Sequence, residues 1–111
     1  MKIWINGKKI EAEIANNFLK IFLGLSFSKK KNLLFIMPYE YKWSFWMFGV
    51  RYKIKIIFIS KDKRVVDVKN GTPISFNPKT WKIYKPKHDC KYVLETPLNI
   101  KVKVGSKVKW Q

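Results

Sequence analysis

Apolar and polar positions alternate along much of this chain, and the alternation changes period only once. Residues 2–14 read KIWINGKKIEAEI, two alternating runs on either side of Asn6-Gly7. That dipeptide favours a type I′ turn because both positions tolerate positive φ, so a β-hairpin is predicted. In its second run Ile10, Ala12 and Ile14 share one face and Lys9, Glu11 and Glu13 the other, as in a half-buried strand. Next, Asn16 or Asn17 can cap a short helix over Phe18 to Leu23, with Gly24 to end it, which predicts one helix near residues 17–24. A lysine-rich loop, Lys29 to Asn32, leads into an apolar strand from Leu33 to Met37 that Pro38 is expected to stop.

From there strands dominate. Trp43 to Val50 is apolar on both faces, the pattern of a central strand or one lining a groove, and Gly49 is a candidate bulge. Between Arg51 and Ile59, Tyr52, Ile54, Ile56 and Phe58 point one way; Lys53 and Lys55 point the other, replaced further on by Ile57 and Ile59. Ser60 to Lys63 reads as a turn and Arg64 to Val68 as a returning strand. Three prolines and Gly71 make Asn70 to Pro86 a long loop carrying Trp81 and Tyr84. Lys91 to Glu95 is a strand, Asn99 to Val104 a strand with Ile100, Val102 and Val104 inward, and Val108 and Trp110 share a side of a last short run. About eight short strands separated by turn signals predict an all-β, mainly antiparallel fold, a small β-sandwich or partly closed barrel.

The chain has 111 residues, 47% apolar and 16% aromatic, so a single core and a single domain are expected. Its 24 Lys and Arg against 7 Asp and Glu give a formal charge of +17. The charge is spread evenly: residues 1–60 carry 11 basic and 3 acidic side chains, residues 61–111 carry 13 and 4. Evenness argues against a basic arm and leaves either a fold-wide basic face or a general lysine bias; such a charge attracts polyanions in either case, so the partner is open, with an anionic polymer as one class. Only Arg51 and Arg64 are arginine, which weighs against base-specific recognition by bidentate pairs. Phe18 to Leu25 is far shorter than the roughly 20 residues that span a bilayer, and Lys2 runs straight into a strand pattern instead of a leader, so a cytoplasmic protein with no integral membrane segment is expected. One cysteine, Cys90, and one histidine, His88, allow neither an internal disulfide nor a Cys/His zinc site, and no cofactor is implied.

Taken in order, Gly24-Leu25, Leu33-Leu34-Phe35-Ile36-Met37, Phe45-Trp46-Met47, Phe58-Ile59 and Tyr92-Val93-Leu94-Glu95 resemble the signature of domain of unknown function 192, also called uncharacterised protein family 0127. The similarity runs from about Ala15 to Val108. It implies a small, mainly β fold of sandwich type and no established activity. The chain departs from that pattern where the family has a polar Asn-Thr pair and Pro-Leu-Asp: here stand Gly49, Val50, Lys53, Ile54 and Lys55, a cation replacing an acid. The family's arginine is also absent from Ser26-Phe27-Ser28.

The candidate binding residues are therefore Trp46, Phe48, Lys53, Lys55 and Glu95. Aromatic side chains at Trp46 and Phe48 are either core or, if one faces a groove, a stacking surface; beside Lys53 and Lys55 such a groove would suit RNA or single-stranded DNA. Glu95 ends an apolar strand and is either a carboxylate in a pocket or the partner of a lysine. Glu40, Asp62 and Asp67 read as solvated. His88-Asp89-Cys90 holds a base, an acid and a nucleophile, but adjacency in sequence does not supply the geometry of a triad. The reading is a non-catalytic binding or accessory module with a basic surface; nucleic-acid binding is the first alternative and an enzyme of unknown reaction the second.

Overall fold

The computed structural model describes residues 1–15, 31–46, 52–72, 83–97 and 100–110, and for Phe45 and Trp46 the backbone only. The predicted helix near residues 17–24, Gly49 and Trp81 lie outside the described residues. Within them the fold is all-β, and its two principal sheets form a sandwich. The first sheet has the order β10-β1-β2, built from β1 (Lys2–Ile5), β2 (Lys8–Glu11) and β10 (Val108–Trp110). The second has the order β3-β4-β9-β6-β7, from β3 (Glu13–Ala15), β4 (Leu33–Tyr41), β6 (Ile54–Ile59), β7 (Val65–Gly71) and β9 (Cys90–Thr96). A two-stranded pair joins β5 (Phe45–Trp46) to β8 (Ile83–Tyr84). Every ladder is antiparallel except β3 with β4.

The Asn6-Gly7 turn forms as its residues require, with φ of 51° and 79°. It sets the register that pairs Ile3 with Ile10, and both side chains go inward. In the larger sheet, period-two alternation sends neighbours to opposite faces. Leu33, Phe35, Met37, Ile54, Ile56, Phe58 and Val93 build one core. Leu34, Ile57, Ile59 and Leu94 build a second, closed from above by Ile3, Ile5, Ile10 and Val108 of the smaller sheet. The C-terminal segment stitches the sheets together: Val65 N donates to Ser106 O at 2.9 Å and Val108 N to Lys63 O at 2.8 Å.

Three expectations need correction. β4 does not stop at Pro38 but continues to Tyr41. The ladder with β9 shifts register between Ile36 and Tyr41, so Pro38 falls where no ladder hydrogen bond is demanded of it. The run from Ile100 to Val104 is not a strand; Ile100 is buried, but Val104 is 65% exposed, because Ser106 N donates back to Lys103 O and Gly105, at φ 94°, reverses the chain. Tyr84 is no loop residue: it lies in β8, buried, its hydroxyl accepting from Thr72 N at 3.0 Å.

The two-core arrangement predicts unequal costs for superficially similar truncations. Leu94→Ala, at a fully buried position, should lower unfolding free energy by about 2–5 kcal/mol in urea titrations. Val104→Ala should change it by less than about 0.5 kcal/mol. Equal losses would mean that the 100–104 segment packs inward after all.

Candidate functional site

Three of the predicted site residues, Lys53, Lys55 and Glu95, fall on both faces of one end of the larger sheet. Register opposes Lys55 to Thr96 and Asn70, and Ile54 to Gly71. With Ile54 committed to the first core, Lys53 and Lys55 must project the other way. They border a cleft of about 490 Å³ lined by Lys53, Ile54, Lys55, Asn70, Gly71, Thr72 and Pro97. Lys53 is exposed. Lys55 is half-buried, its Nζ donating to Ile100 O at 2.7 Å, so that one cation is anchored and the other free to reach outward. Among the described lining residues are two cations and no carboxylate.

Glu95 belongs to the opposite face. It is opposed by Leu33 on β4 and Ile56 on β6, both core residues, and is itself only 5% exposed. None of the four ion pairs among the described residues includes it; they use Glu11, Glu13, Glu40 and Asp67. A lysine partner, one of the two readings for Glu95, is therefore not found there, because strand alternation puts Lys53 and Lys55 on the other side. Burial pushes its carboxyl up to about 8. Nearby, the Tyr52 hydroxyl is raised, first by burial and then by the Glu95 charge, against a lowering contribution from the Lys31 backbone amide.

Of the aromatic candidates, Trp46 pairs with Ile83 across β5 and β8, and Phe48 lies outside the described residues. The His88-Asp89-Cys90 cluster does not converge. His88 and Asp89 are exposed, whereas Cys90 is fully buried, with Sγ 3.5 Å from Tyr41 O. Burial pushes its thiol up to about 11, the wrong direction for a nucleophile. Asp67, expected to be solvated, is instead buried and accepts from the amides of Val68 (2.8 Å) and Lys87 (3.0 Å), with Lys69 at 3.5 Å.

The structure also assembles a group that sequence reasoning missed. Tyr39 and Tyr41 lie in the last part of β4 and Trp43 just past its end, with Tyr39–Trp43 and Tyr41–Trp43 ring centroids 5.1 and 5.4 Å apart. Tyr39 and Tyr41 are 58% and 57% exposed. Their spacing of two was a visible signal, hidden by the assumption that Pro38 ended the strand.

Comparison with known proteins agrees on family and fold. The family model DUF192, described as an uncharacterized ACR, matches residues 1–110. A UPF0127 protein of Pyrococcus furiosus is 36% identical over 109 residues, covering 92% of this chain and 88% of the relative. Another, from Thermococcus sibiricus, is 32% identical over 118 residues, covering 99% and 70%. Among solved structures, a protein of unknown function from Novosphingobium aromaticivorans superposes with a TM-score of 0.82 at 20% identity, over 98% of this chain and 84% of its own. A protein from Sinorhizobium meliloti described as a candidate transcription regulator gives 0.83 at 18% identity, over 97% and 91%. At those identities the likeness is one of fold.

The environment of Glu95 predicts a distinctive pH dependence. Its carboxyl lies at the ordinary 4.5 when unfolded and near 8 when folded. The folded state thus holds an extra proton between those values, and stability falls as pH rises through that window, by up to about 1.4 kcal/mol per pH unit, then levels off. Glu95→Gln should match the parent in urea melts near pH 5 and exceed it at pH 9. An unchanged slope would mean that Glu95 is ionised in the folded protein.

Proposed function

The chain belongs to the DUF192 family, also called uncharacterised protein family 0127, and within it we propose that this protein is a non-catalytic binding module for an anionic polymer, with the Lys53–Lys55 cleft as a principal contact. The observation that carries this reading is the lining of that cleft, two ammonium groups unopposed by a described carboxylate, on a chain of net charge +17. An anchored and an exposed cation two residues apart suit repeated phosphates: Lys55 supplies charge at a set position and Lys53 extends toward solvent. Counterion release then makes binding steeply salt-dependent.

The enzymatic alternative has less to stand on. Glu95 lies behind the apolar face and is absent from the cleft lining, and Cys90 is sealed in the core. Burial accounts for the raised Glu95 value and is the largest cause at Cys90, where the charges of Asp89 and Glu40 push the thiol further up, away from the thiolate a nucleophile needs.

A charge-only ligand tests the reading. Lys53→Ala should weaken binding of long-chain inorganic polyphosphate by about threefold or more and flatten its salt dependence by nearly one counterion. Lys8→Ala, at an equally exposed lysine of the hairpin, should do markedly less. Equal effects of the two substitutions in fluorescence titrations would leave a diffuse cationic coat and no cleft site.

A further inference from the structure

We propose that Tyr39 and Tyr41, backed by Trp43, form a shelf on which the bases of a single-stranded nucleic acid stack. The shelf lies at the far end of β4 from the cationic cleft, since Leu33 of β4 opposes Glu95 near the cleft while Tyr41 opposes Cys90 at the other end of β9. Mutual ring contacts place the three on one side of the chain. Unlike Phe35 earlier in β4, which is fully buried, the two tyrosines remain more than half exposed.

The rings are also held in place. Trp43 packs against the first core, and its Nε1 donates to Tyr39 O at 2.9 Å, closing the segment into a compact turn. Tyr39 and Tyr41 meet edge to face at 6.3 Å, and each leans on the indole. A ligand ring therefore meets prearranged faces, and little ordering entropy is lost on binding.

Charge selects the ligand among the planar molecules that such rings could hold. Lys42, between Tyr41 and Trp43, is exposed, and Lys91 follows Cys90 on the facing strand with its Nζ bonded to Met37 O. Glu40, in the same segment, is engaged by Lys61, which donates its amide at 3.0 Å and holds its Nζ at 4.0 Å. Just before β9, Lys87, His88 and Asp89 are also exposed, one acid among them. Cations around stacked rings fit a strand whose phosphates alternate with aromatic bases; a neutral sugar or an apolar peptide would leave the charge unused. The inference takes its electrostatics from the polyanion reading above and adds the bases to it.

The test compares three ligands: a uridine dodecamer, an abasic strand with the same phosphates, and inorganic polyphosphate, each titrated by anisotropy or competition at about 50 and 200 mM salt. The dodecamer should bind at least about fivefold more tightly than the abasic strand. Tyr39→Ala with Tyr41→Ala should erase that difference, leaving abasic and polyphosphate binding and the salt slope unchanged. Tyr39→Phe with Tyr41→Phe should retain it, since the ring and not the hydroxyl does the stacking, and this pair serves if the alanine pair misfolds. Equal affinity for base-bearing and abasic strands overturns the shelf while polyphosphate binding sustained by Lys53 preserves the cleft. Absence of binding to all three overturns both. Concentration-dependent dimers in the parent that the phenylalanine pair keeps and the alanine pair loses, with no base preference, would instead make the shelf a contact between copies.

Discussion

Burial of the β4-β9-β6 strands on both faces is the constraint from which the rest follows. Their alternate residues all find apolar company: Phe35, Phe58 and Val93 on one side, Leu34, Ile57 and Leu94 on the other. A strand with two oily faces has nowhere to put a charge except its ends. Lysines are accordingly expelled to the rim, and Lys53 and Lys55 come to border a cleft there. Glu95, trapped inside by the register, holds its proton up to about pH 8 because burial penalises the ionised carboxylate.

The same constraint keeps the chemistry-bearing residues His88, Asp89 and Cys90 apart. Cys90 is drawn into the core by the strand that carries it, away from exposed His88 and Asp89. Asp67 is drawn in too, but two backbone amides and Lys69 satisfy it. Binding needs less than catalysis does: a place where cations and rings remain outside. The two ends of the sheet provide such places, ammonium groups at one and tyrosine rings at the other.

The fold was largely legible in the chain because period-two alternation and the Asn6-Gly7 turn are local signals. Inward-facing Ile10, Ile54, Ile56 and Phe58 could be read directly, and the family motif agreed. What resisted reading was non-local. Whether Pro38 ends a strand depends on where its neighbour's ladder slips, which only β9 decides. Whether Val104 points inward depends on a turn at Gly105 that turns the alternating run away from the core. Lys53, Lys55 and Glu95 stand out in the sequence, but their division between opposite faces needed the register. Tyr39 and Tyr41 escape a sequence reading because Pro38 signals a strand end that the β9 ladder overrides.

Amide hydrogen exchange followed residue by residue in the intact protein addresses the two-faced sheet most directly. Val93, Leu94, Ile56 and Ile57 should exchange only through global unfolding, the slowest class in the molecule, while the amides of Lys42 and Ser44 beside the ring shelf should exchange orders of magnitude sooner. Exchange in β9 as rapid as in the edge strands β3 and β7 would contradict the account, because a strand open on one side would neither hold Glu95 protonated nor drive the lysines to its ends.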